Sequence, residues 1–227
     1  MYPPSALPMS PWLLLQLADS ALPTGGFAHS GGVEAAVQLG RIDGAPALAR
    51  AAVEAIWSLA GAALPFVSAA HREPGSLPLL DLRCDATLPG HVQNRASRAQ
   101  GQAFLRAATA AFGAPAEELA EAVRAGRLCG HLAPAYGAVL GRLGAAADEA
   151  RRLYLFQAAR GMLSAAVRLG VVGPLEAQAL QAGLAPEVEA ALQATGPLAP
   201  EDAAGGAPLL DLLQGHQDRL YSRLFQT

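Results

Sequence analysis

The residues able to do chemistry in this chain are few and scattered. No lysine occurs anywhere, so all 16 basic residues are arginines. A phosphate-binding loop, which needs a lysine after its glycines, is therefore excluded. The five histidines, His29, His71, His91, His131 and His216, are dispersed, and none belongs to an H-E-x-x-H pattern that would hold a hydrolytic metal. Cys84 and Cys129 stand far apart, and neither belongs to a C-x-x-C pair, so no zinc or redox motif is present. No Ser/His/Asp or Cys/His order can be picked out by spacing alone. The sequence assigns no catalytic residue, no metal ligand and no stably bound cofactor, and the chain reads as a non-enzyme.

Three polar neighbourhoods remain. Around the Gly25-Gly26 turn, Asp19, Ser20, Thr24, His29, Ser30 and Glu34 crowd polar groups on either side of Phe27. This is either a hydrogen-bonded turn with Phe27 plugged into the core, or a recognition loop held between two helices. In N94-R-A-S-R-A-Q-G101, helical spacing puts Arg95, Arg98 and Gln102 on one face, beside a seam of Ala96, Ala99 and Ala103. Glycine inside a helix costs roughly 1 kcal/mol against alanine, so Gly101 implies a closely approaching backbone. Arg160, beside Gly161, interrupts an apolar helical stripe and needs a partner, either a carboxylate of the same chain or a subunit interface.

The elements that position these residues read as helices throughout. Apolar residues make up 52% of the 227-residue chain and aromatics only 5%, so alanine and leucine dominate, and the fold class is all-α. The length suits a single domain, a bundle of about eight to ten mostly short helices. Ser10-Pro11 opens the first helix, to about Asp19, and a second runs from Val33 to Leu39. The stretch from Ala45 to about Ala70 contains Pro65, which either bends one helix or divides two. Further helices are expected over 77–86, 90–112, 115–125, 131–143 and 147–169, then 175–182 and 186–194. In the helix over 147–169, Leu153, Phe156, Leu163 and Val167 form one apolar stripe. Residues 1–9 form an N-terminal cap, 196–208 a flexible linker rich in alanine, glycine and proline, and 209–227 a C-terminal helix and tail whose last turn is free to meet another protein.

The net charge of -3 argues against a nucleic-acid partner. The apolar run Trp12 to Ala18 has no positive charge before it and closes on Asp19, unlike a signal peptide. The uncharged stretch Ala55 to Ala70 is shorter than the roughly 20 residues of a spanning helix, so no membrane is expected. A cytoplasmic location suits this pattern and the unpaired cysteines.

The segment Leu14 to Glu34, LLQLADSALPTGGFAHSGGVE, closely resembles the signature of the UreF family of urease accessory proteins. NRASRAQG (94–101), GHLAPAYG (130–137), LSAAVRLGVVG (163–173) and the ending with His216, Tyr221 and S222-R-L-F225 match in the family's order, across nearly the whole chain. The resemblance implies an all-α homodimer in nickel incorporation into apo-urease, a scaffold joining the accessory protein UreD (UreH in some nomenclatures) to the GTPase UreG. Nickel would be handled transiently by the complex. The resemblance also implies partner binding by the glycine-rich loop and the tail, which here means Thr24, Gly25, Gly26, Phe27, His29 and Ser30 with Tyr221, Arg223, Leu224 and Phe225. Arg95, Arg98, Gly101, Arg160 and Gly161 are assigned to helix packing or the dimer. A second reading is a regulator that activates UreG with a catalytic arginine, for which Arg95, Arg98 and Arg160 are candidates. Phe27 lacks the hydroxyl that a tyrosine would bring at this loop position.

Overall fold

A computed structural model of the chain describes residues 9–88 and 90–227. The expected cap at 1–9 lies outside these residues except for Met9, whose amide donates to the Gly144 carbonyl at 2.9 Å. All regular structure among the described residues is helical. Ten helices have eight residues or more, and one has six.

The first helix, α1 (Pro11–Ala18), starts as its sequence dictates, with Pro11 in the first turn and the Ser10 hydroxyl accepting from the Trp12 amide at 3.2 Å. A short α2 (Val33–Gln38) follows the glycine-rich loop, and then the long central α3 (Ala45–Arg72). Pro65 does not divide α3. Lacking an N–H, it leaves the Gly61 carbonyl without its helical donor, and the Ala204 amide takes that place at 3.3 Å. The non-helical stretch that supplies Ala204 is further tied to α3 by the Gly206 amide, which donates to the Ser58 hydroxyl at 3.1 Å. The segment expected as a flexible linker is thus strapped to the central helix at its proline.

Helices α4 (Leu77–Thr87), α5 (His91–Phe112), α6 (Ala114–Arg124), α7 (Leu132–Arg142) and α8 (Ala147–Arg168) complete the central body. The strongest packing joins α3 to α7, and the chemistry of that seam is the absence of side chains. A Cβ on Gly137 would strike the Val67 carbonyl and one on Gly141 the His71 carbonyl, so the two backbones touch. On the other face of α7, the Phe104 and Tyr136 rings lie 5.1 Å apart, and Tyr136 meets Tyr154 of α8 edge-on at 5.4 Å. Ile56, Leu64, Phe66, Leu105, Leu140 and Leu155 are fully enclosed around this aromatic line. The remaining helices, α9 (Pro174–Gly183), α10 (Ala185–Ala194) and α11 (Pro208–Gly215), lie on the outside of the body. By length and composition α3 could cross a membrane, yet over half of its most apolar window is buried among its neighbours.

Of the apolar stripe expected on α8, Leu153 and Leu163 are buried, but Phe156 is 37% exposed. Phe156 lies partly in solvent, with the Arg160 guanidinium 6.0 Å from its ring centre.

Candidate partner-binding site

Two segments far apart in sequence are built into one surface. The loop Ser20 to Ser30 contains a 3₁₀ turn, Gly26–Ala28, entered through Gly25 at φ 78°. A Cβ there would also lie 3.2 Å from that of Ala103 on α5, so both the backbone angle and the neighbour select glycine. Gly26 has no positive φ and is not selected in this way. Phe27 is 72% exposed, which excludes it as a core plug.

The C-terminal segment folds back onto this loop. The Gln226 amide donates to the Ala28 carbonyl at 2.8 Å, and the Ser30 amide to the Thr227 carbonyl at 2.6 Å. His29 Nδ1 is hydrogen-bonded to the Thr227 hydroxyl. Burial, with a smaller contribution from the Arg95 charge, pushes the His29 imidazole below its usual range. The helix expected to reach Phe225 stops at Gly215, because Glu34 captures the chain beyond it. Glu34 is buried on α2, and one carboxylate oxygen accepts from the Leu224 amide at 2.5 Å. The other accepts from the Phe225 amide at 3.1 Å and the Gln217 side chain at 2.6 Å. These charge-assisted bonds replace the helical ladder that the tail has given up.

Arg168, in the last turn of α8, closes the junction. Its guanidinium lies 3.7 Å from the Phe27 ring centre and 4.3 Å from that of Phe225, and it donates to the Phe27 carbonyl at 2.5 Å. Phe225, expected to be free for a partner, is buried by this clasp. Tyr221, Arg223 and Leu224 remain exposed in the tail, and Phe27 in the loop. Thr24 and Gly26 are half-buried, and Ser30 is buried. The tail's other anchor is Asp218, whose carboxylate takes two bonds from Arg95, at 2.8 and 3.1 Å, one from His91 at 3.2 Å and one from Arg223 at 3.4 Å. Its pKa lies below the usual carboxylate value, chiefly through the Arg95 bond.

Behind this surface, the residues expected to pack do so through a second carboxylate knot. Asp81 on α4 is buried and accepts from three successive amides ahead of α7: Cys129 at 2.5 Å, Gly130 at 3.2 Å and His131 at 2.8 Å. His131, fully buried, bonds to the Ser97 hydroxyl and to Asp85, each at 3.0 Å. Asp85 also takes Asn94 at 2.8 Å and Arg98, which holds its carboxyl far below the usual range, the Arg98 bond contributing most. Gly101 lets this strand of backbone approach: a Cβ there would collide with the Gly130 carbonyl and lie 2.6 Å from the Leu132 amide nitrogen. The close approach read from its sequence position is thus present.

Arg160 donates to the Ala18 carbonyl at the C-terminal end of α1. Within the chain its partner is a helix terminus, where the dipole is negative, and not a carboxylate, one of the two partners the sequence left open. A Cβ on Gly161 would meet nothing within 4 Å, so this glycine serves no close packing in the chain.

Donor atoms of Asp85, Cys129 and His131 lie within 4.8 Å of one another. Yet both His131 nitrogens are engaged, Asp85 already holds a guanidinium, and burial raises the Cys129 thiol, which disfavours the thiolate a metal would take. The cluster fits a hydrogen-bonded knot better than a metal centre. A cavity of about 570 Å³ lies between the loop, α3, α5 and α8, with Ser97, Gln157, Arg160 and Tyr136 in its wall. The Tyr136 hydroxyl is buried with no hydrogen-bond partner among the described residues.

The UreF family model matches residues 12–185, which run from α1 through the loop, the knot and the clasp arginine. The chain belongs to the UreF family. It is 38% identical over 219 residues to urease accessory protein F of Arabidopsis thaliana, covering 94% of this chain and 91% of the relative. Against the protein of the same name from Oryza sativa subsp. indica it is 36% identical over 221 residues, covering 95% and 85%. Urease accessory protein UreF of Arthrobacter sp. (strain FB24) is 33% identical over 227 residues, covering 94% and 96%.

Within this UreF-family chain, sequence reasoning missed the residues that join the segments. Glu34 was visible as one of the polar groups near the turn, but its reach to Leu224 was not. Arg168 and Asp218 carried no signal, because each sits at a position typical of solvated charge. Asp81 is an acidic residue among leucines in LPLLDLRC, and that pattern of an isolated buried charge was the available clue.

Proposed function

We propose that this chain serves urease maturation as a non-catalytic scaffold, joining the accessory protein UreD (UreH) to the GTPase UreG while nickel is incorporated into apo-urease. The observation that carries this reading is the fusion of the glycine-rich loop and the tail into one surface with Phe27, Tyr221, Arg223 and Leu224 outward. Exposed aromatic and arginine side chains on a rigid, hydrogen-bonded support are the composition of a protein-binding hot spot. Relatives of nearly the same length bear the name urease accessory protein F, which supports the same role. Nickel is cargo in this reading and is held transiently by the assembled complex. The chain works as a homodimer in the cytoplasm, and its partners are proteins, with no nucleic acid or membrane among them.

The alternative, an arginine supplied to the GTPase, has less support. Arg95 is bonded to Asp218, Arg98 to Asp85 and Arg160 to the Ala18 carbonyl, so each candidate is already held within the chain. Size-exclusion chromatography with light scattering, on the chain alone and mixed with its cognate UreD and UreG, tests the scaffold. A dimer that gathers both proteins is expected. Partners that stay separate from a folded chain would overturn the reading.

A further inference from the structure

Along the outer face of α5 runs a shallow groove of about 510 Å³, lined by His91, Asn94, Arg95, Arg98 and Gln102 with Ala99 between them. One helical stripe supplies nearly the whole lining, since these positions recur every three or four residues. Every polar side chain in the stripe is used here as a hydrogen-bond donor, and only two carboxylates answer the charges. Asp218 is shared by Arg95, Arg223 and His91, while Asp85 takes Arg98. Three guanidiniums thus face two carboxylates. The imbalance points outward: the arginine side chains are 41–49% exposed, against 29% for Asp85 and 33% for Asp218. A positive, donor-rich groove stands out on a chain whose net charge is -3.

Two groove residues, His91 and Arg95, bond Asp218, the carboxylate that also holds Arg223 of the tail. A partner seated on Phe27, Tyr221 and Leu224 would therefore have this groove at its edge. We infer that the groove is a docking surface for a carboxylate-rich segment of a partner protein, an inference that rests on the scaffold reading above. Arg95 takes Asp218 with two bonds, so Arg223, held there by a single bond at 3.4 Å, keeps most of its guanidinium for a bidentate pair with an incoming Asp or Glu.

Ala99 provides the test, because it is exposed on the groove floor, makes no bond of its own, and sits in a helix that accepts either Glu or Lys. Affinity for cognate UreD and for UreG is measured by interferometry with the wild-type chain, Ala99→Glu and Ala99→Lys, after thermal melts confirm that both variants fold. For one of the partners, Ala99→Glu is expected to weaken binding roughly ten-fold or more while Ala99→Lys is not, because a like charge at the contact repels. The gap between the variants closes at about 0.5 M salt, where the field is screened within a few ångströms. Equal weakening by both variants overturns the inference, since the contact would then be steric. No effect from either shows that nothing docks there and overturns it as well. A wild-type chain that binds neither protein removes the scaffold reading, and this inference with it.

Discussion

The knot around Asp81 and the platform around Glu34 use the same chemistry for different ends. In each, a carboxylate at most 3% exposed collects backbone amides that no helix could satisfy. Asp81 gathers three consecutive amides of one turn and is walled in by His131, Asp85 and the bare backbone at Gly101. Glu34 instead reaches residues more than 180 positions away, and what it holds is a surface with its aromatic and charged side chains turned outward. The first carboxylate fixes the body of the fold. The second fixes the tail against the glycine-rich loop.

The sharpest separation comes from Asp81→Ala. It leaves three buried backbone donors without an acceptor, and a loss of about 3–5 kcal/mol in urea unfolding is expected. Partner affinity per folded molecule should stay unchanged. Glu34→Gln comes next: it places a donor where only acceptors fit, costs roughly 1–2 kcal/mol globally, and releases the tail. Amide exchange at Leu224 and Phe225 should accelerate well beyond that at the core of α3, and partner binding should weaken. If exchange at those two amides instead tracks global unfolding, the tail is part of the main cooperative unit and the contrast with Asp81 dissolves.

Arg168→Lys should act more mildly, because the charge survives but the planar group between Phe27 and Phe225 does not. About 0.5–1 kcal/mol is expected, seen as faster exchange at Gln226 and Ser30. The smallest effect is a pH dependence. Since the folded-state pKa of His29 is depressed, the unfolded chain binds more protons near and below its ordinary value of about 6.5. Stability from this group is therefore complete above that pH and is lost as pH falls through the lower, folded value. His29→Gln should flatten the slope of stability just below about pH 6.5, measured by chemical denaturation at fixed salt. An unchanged slope would mean that the Thr227 contact tolerates the charged ring.

Much of the architecture was legible because helices carry local punctuation. Ser10-Pro11 opened α1 where expected, and Gly40, Gly113 and Gly170 closed their helices at left-handed angles. Gly101 announced a close backbone approach from its unfavourable position alone. What stayed illegible was long-range. The periodic apolar residues after Leu209 read as a helix through Phe225, and only the distant carboxylate of Glu34 explains why the chain abandons it at Gly215. Phe27 read as either a core plug or a loop anchor and Phe225 as a free anchor, yet with Arg168 against both rings it is Phe225 that is buried and Phe27 that stays outside. The resemblance named the loop and the tail as separate segments. It could not show that they form a single surface.

That unity is tested by a double-mutant cycle on partner binding with Phe27→Ala, Tyr221→Ala and the pair, followed by calorimetry against whichever of UreD and UreG binds the wild-type chain. Both single changes should weaken binding to the same partner by about 1–2 kcal/mol. The pair should depart from additivity by more than about 0.5 kcal/mol, as contacts sharing one interface do. Affinity unchanged by either single substitution, or effects that fall on different partners, would contradict a single loop-and-tail platform.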